Sequence, residues 1–172
     1  ELSGPRLGYG RYRWVVGSDL TNKLDAHRVI GFFTHHVRRQ SPAGEQDLEF
    51  ARWGDSFRPI GWYVSWISTG RDAYGTFSVS PHAPYTLDLT WKHGRVEYSV
   101  RDANGVSLLA QSIPTSFSGR NIAPSMSYWL WAGNKWDPRT KKVLRGPHPA
   151  IRVNSFRHTK LRDLATNVQT QQ

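Results

Sequence analysis

Thr86-Leu87-Asp88-Leu89-Thr90-Trp91 alternates polar and apolar residues one by one. A strand of period two turns Leu87, Leu89 and Trp91 to one face and Thr86, Asp88 and Thr90 to the other. Lys92-His93-Gly94 then reverses the chain into Val96, Tyr98 and Val100, which again alternate with polar residues. The next reversal is Asp102-Ala103-Asn104-Gly105, where Asn-Gly supplies the positive φ angles of a tight hairpin. Working outward from this meander, aromatic and β-branched residues dominate, and Gly and Pro recur every ten residues or so. Strands are predicted over 11–16, 28–34, 45–52, 61–67, 76–79, 86–91, 95–101, 106–111, 125–131 and 150–157. Helical periodicity is nearly absent. So many strands without crossover helices predict an all-β fold, an antiparallel β-sandwich or jelly roll.

The 172 residues fit one domain, predicted over 1–158, followed by a polar C-terminal tail over 159–172. No apolar run approaches the length that spans a bilayer, so no membrane insertion is expected. The absence of cysteine excludes disulfides, cysteine nucleophiles and thiolate metal sites. A net charge of +10 and a pI near 10.3 invite a nucleic-acid reading. The basic residues are spread along the chain without a basic helix or an RNA-binding aromatic signature, so nucleic acid is set behind an acidic polymer as partner.

Chemistry is concentrated in Glu45-Gln46-Asp47-Leu48-Glu49-Phe50. Period two places Glu45, Asp47 and Glu49 on one face and Gln46, Leu48 and Phe50 on the other. By itself such a segment is more often a solvated acidic strand face. Three acids on one face repel one another, however, and in a chain with only 13 acidic residues that cost points to use. Retaining glycoside hydrolysis needs two carboxyls roughly 5–5.5 Å apart. An extended strand holds the Cα atoms of residues 45 and 49 about 13 Å apart, so the side chains must lean together. Asp47 between them is placed to bond one acid and raise the pKa of the other.

Gly8-Tyr9-Gly10-Arg11-Tyr12, Gly31-Phe32-Phe33-Thr34, the acid strand, Thr90-Trp91 and Tyr128-Trp129-Leu130-Trp131 follow one another in the order seen in glycoside hydrolase family 16. The chain resembles that family over roughly residues 8–157. Its members are laminarinases, lichenases, agarases and relatives on a concanavalin-like jelly roll, with the acid strand in a concave groove. The resemblance implies an endo-acting, retaining hydrolase of a β-linked polysaccharide, an acidic one included, that works without cofactor or metal. Matched by position, Glu45 is the nucleophile, Asp47 the assisting acid, Glu49 the general acid/base, and Trp131 lines a sugar subsite. The segment Phe50-Ala51-Arg52-Trp53-Gly54 and the later Tyr63-Val64 are closest to a bacterial subgroup. Such an enzyme is expected to be secreted or periplasmic.

Three departures qualify the match. Gln46 stands where the pattern is apolar, Ala43-Gly44 where many members carry Trp, and the chain starts where members usually have several strands behind them. The first strand is therefore expected to be partly unpaired, inviting self-association or a partner segment, or to be capped by something atypical. These departures also sustain an alternative, a non-catalytic carbohydrate-binding or structural protein on the same fold.

Eight tryptophans are too many to bury without partners for every indole N–H, so some should face the groove and stack on sugars. Trp66 and Trp131 are the expected platforms, with Trp53, Trp62 and Trp136 as further candidates. Phe33 and His35 are expected beside the groove. His35 and His36, on opposite faces of a strand, cannot chelate one ion. Arg38, Arg39 and Arg52 lie where a sulfated or carboxylated glycan would meet them.

Overall fold

The computed structural model describes residues 2–24, 26–37, 44–55, 57–66, 73–130 and 150–162. Two antiparallel sheets face each other. The first has six strands in the order β1 (Leu2–Ser3), β10 (Ile122–Leu130), β3 (Arg28–His36), β4 (Gln46–Ala51), β5 (Gly61–Ser65) and β6 (Ala73–Phe77). The second has five, in the order β11 (Val153–Lys160), β2 (Gly10–Val16), β7 (Tyr85–Lys92), β8 (Arg95–Arg101) and β9 (Ser107–Pro114). The architecture is the predicted jelly-roll sandwich. The short helix α1 (Leu20–Lys23) is capped by the Asp19 side chain on Thr21 N at 2.9 Å, and a 3₁₀ turn lies at Gly119–Asn121.

The opening hairpin behaves as its alternation requires. Leu87 pairs with Val100, Leu89 with Tyr98 and Trp91 with Val96, all turned inward and buried. They meet Phe32, Leu48 and Phe50 of the first sheet in one apolar core with Tyr12 and Trp14. Rings of Trp14 and Phe32 lie 6.1 Å apart, and those of Phe32 and Phe50 6.3 Å. Burying such side chains contributes about 1.5–3 kcal/mol each, so this layer holds the sheets in register. Trp91 satisfies its indole N–H by donating to Thr34 Oγ1 at 2.8 Å. Gln46 is fully buried, and its Oε1 accepts from the Tyr98 hydroxyl while its Nε2 is left without a partner.

Of the two expectations for the first strand, the open edge is not found and the cap is. Strand β2 is bonded to β7 on one side and to β11 on the other, because the chain's own last strand occupies that edge. Residues before β2 run along the first sheet, with Gly4 N bonded to Pro124 O and Leu7 N to Ile122 O, and then cross to the second. The crossing ends at Gly10, with φ of 148°. A Cβ there would lie 2.3 Å from Thr159 O, so β11 can close onto β2 only over a glycine. Strand β11 continues to Lys160, two residues beyond the expected domain end at 158.

Candidate active site

Strand β4 lies inside the six-stranded sheet, flanked by β3 and β5. Leu48 and Phe50 are in the core, which turns Asp47 and Glu49 to the opposite, outer face of the sheet. Directly opposite residues of an antiparallel pair share a face, so the register identifies the neighbours. Gly31 and Trp62 flank Glu49, and Phe33 and Val64 flank Asp47. Glu45 precedes the strand proper and is tied in by Trp66 N, which donates to Glu45 O at 3.0 Å.

Glu45, Asp47 and Glu49 act on one another electrically. Asp47 is 4% exposed, and its pKa is held well above the carboxylate range, first by burial and then by the charges of Glu45 and Glu49. The Trp66 indole opposes this shift by donating to Asp47 Oδ2 at 2.6 Å. Asp47 and Glu45 also share a hydrogen bond. Two carboxyl groups can do so only with a proton between them, and the raised pKa of Asp47 favours its protonated form. Glu49, partly buried, is pushed up to about 7 by burial and by the charge of Glu45. One acid is thus set to be ionised and another to hold a proton near neutrality. That division is what acid-assisted displacement at a glycosidic carbon requires.

Space and aromatic surface surround the acids. An added Cβ at Gly31 would stand 2.9 Å from Ser127 Oγ and 3.9 Å from Glu49 Cγ, so glycine keeps the ground beside Glu49 open. Trp53, in the turn after β4, has a φ of 51°, unusual for a bulky residue. This bend sets its ring edge-on to Trp62, 6.5 Å between centroids, toward the Glu49 end of the strand. Trp62 spends its N–H on Ala51 O and Pro59 O. On the other flank the rings of Phe33 and His35 lie 6.1 Å apart. His35 Nδ1 is 3.2 Å from Ser125 Oγ, which is 2.9 Å from Ser3 Oγ, so a line of hydroxyls continues from the aromatic pair to the sheet edge.

The structure therefore brings Glu45, Asp47, Glu49, Trp66, Trp53, Phe33 and His35 to one face. Trp66 is tied to Asp47 rather than left as an open platform. Trp131, Trp136, Arg38 and Arg39 lie outside the described residues. Not anticipated was Tyr74, 69% exposed and paired with Val64 on the same face. The predicted strand began at Thr76, and only a start three residues earlier reveals it.

No protein-family model matches the sequence, and no curated protein does. Solved structures share the fold. A β-glucanase from Bacillus licheniformis aligns with a TM-score of 0.55 and 18% identity, over 90% of this chain and 67% of that one. A Crh5 transglycosylase in complex with NAG gives 0.55 and 15%, over 91% of this chain and 65% of that one. The chain thus spans about two thirds of the length of these structures. At these identities the likeness is one of fold.

Proposed function

We propose that the chain is an endo-acting, retaining hydrolase of a β-linked polysaccharide, a member of glycoside hydrolase family 16 working outside the cytoplasm. The observation that carries this reading is the division of labour on β4: Asp47 bonded to Glu45, and Glu49 poised near 7. Glu45, accepting from protonated Asp47, attacks the anomeric carbon. Glu49 gives its proton to the departing glycosidic oxygen. Esterification removes the negative charge of Glu45, one of the two causes that raise Glu49, so the pKa of Glu49 falls and it becomes the base that activates water. The same change of charge thus resets the acid for its second task. Trp53, Trp62, Tyr74 and Phe33 offer ring faces for successive sugars.

A panel of soluble β-glycans, assayed for released reducing ends, tests the proposal. The expected result is cleavage of at least one polymer, collapse of turnover by several orders of magnitude in Glu45→Gln with binding retained, and a loss of roughly 10²–10⁴ in Glu49→Gln. Binding without cleavage of any panel member would instead make this a carbohydrate-binding protein that has kept the acid strand.

A further inference from the structure

The outer face of the five-stranded sheet, on the far side of the sandwich from the acids, has a different chemistry. The pairing registers give its rows. Ser155, Val15, Thr86 and Arg101 form the first, and Arg157, Arg13, Asp88 and Ser99 the second. Thr159, Arg11, Thr90 and Glu97 form the third, and Lys92 and Arg95 begin a fourth. Every row carries at least one cation. Successive rows are about 7 Å apart along the strands, and neighbouring strands are about 4.8 Å apart.

Six cations meet two acids here, and the acids are already engaged. Asp88 takes both 2.7 Å bonds from Arg13, and Glu97 lies 2.7 Å from Lys92 and 3.3 Å from Arg95. Among the described residues no acid pairs with Arg11, Arg101 or Arg157; Arg101 and Arg157 are exposed, while Arg11 is half-buried, its Nε buried without a hydrogen bond. Arg157 also sits directly opposite Arg13, and Lys92 opposite Arg95, arrangements of like charge that weaken a sheet unless something compensates them. The positions between the cations are Thr86, Ser99, Ser155 and Thr159, with Thr90 buried beneath them, and no outward residue of these rows is aromatic.

We propose that this face binds an anionic polysaccharide, whose carboxylates or sulfates engage Arg11, Arg101 and Arg157 while its hydroxyls meet the intervening serines and threonines. Charge complementarity selects a polyanion. Guanidinium forks suit carboxylate and sulfate oxygens, and the hydroxyls suit a sugar chain. A single-stranded nucleic acid would call for stacking surfaces that the face lacks. The binding is independent of cleavage at the acid strand, so it stands or falls separately from the catalytic reading.

The test is affinity of the full chain, in a Glu45→Gln background, for polygalacturonate, dextran sulfate, a neutral β-glucan and mixed-sequence DNA at low and high salt. Expected is salt-sensitive binding to one or both acidic glycans. It should fall roughly tenfold or more in Arg11→Gln/Arg101→Gln/Arg157→Gln and hold in a charge-matched control, Arg6→Gln/Arg58→Gln/Arg120→Gln. The neutral glucan should bind both variants alike, and thermal melts should show both folded. Arg157→Glu alone, on an exposed edge-strand residue, should reproduce part of the loss if the triple variant does not fold. No binding to either acidic glycan, an equal loss in the control, or DNA bound more tightly than both acidic glycans would each overturn the proposal.

Discussion

Glu49 is the residue through which pH should act. Its folded pKa of about 7 stands above the ordinary value of 4.5, so the native state holds a proton that the unfolded chain has released between these limits. Stability from this group is complete below pH 4.5 and is lost as pH rises through 7. Asp47, shifted in the same direction, adds to the trend. Glu49→Gln should therefore flatten the decline of melting temperature between pH 5 and 8 and exceed the parent in stability at pH 8, by up to about 3 kcal/mol. A parent and variant with parallel pH profiles would mean that Glu49 is not held protonated. Catalytically, kcat/KM should have a basic limb near pH 7 that is lost in Glu49→Gln. Trp66→Phe removes the one neutralising bond to Asp47 and should raise the Asp47 pKa further, visible in the carboxyl resonances of the labelled protein.

Strand β4 shows what could be read from residues alone and what could not. Period two placed its acids and its core residues on the correct faces, since alternation depends only on local geometry. Gln46 looked like a flaw in that pattern because its partner, Tyr98, lies 52 residues away on the other sheet. The same long-range pairing decided the edge of β2: nothing near residue 10 reveals that residues 153–160 will bond to it. Tyr74 was missed because Gly75 and Thr76 give no clear strand start, whereas the register with β5 does. The two polar partners are not equivalent. Tyr98→Phe leaves Gln46 Oε1 buried without its donor and should cost about 1–3 kcal/mol in chemical denaturation. Gln46→Leu leaves the Tyr98 hydroxyl bonded to Val64 O at 3.1 Å and removes an amide nitrogen that has no partner, so it should be neutral or stabilising. Equal destabilisation by both would show that the pair, not the orphaned acceptor, carries the energy.

At the scale of the molecule, the two sheets divide acid from base: three carboxyls on the outer face of one, unpaired arginines on the outer face of the other. The sandwich is also closed by its own last strand. Ending the chain before Val153 should uncover the β2 edge and the Trp14 ring, which lies 5.2 Å from Phe156, and should turn the protein to self-association in light scattering. A monodisperse monomer after that deletion would mean that β11 is dispensable to the fold. The acid face leads to the central claim, that Glu45 forms a covalent glycosyl bond which Glu49 then resolves. Proton NMR of a cleaved β-glycan, recorded before the new reducing end mutarotates, reads the claim directly. Double displacement on β4 predicts the β-anomer as the first product, and an α-anomer would contradict it.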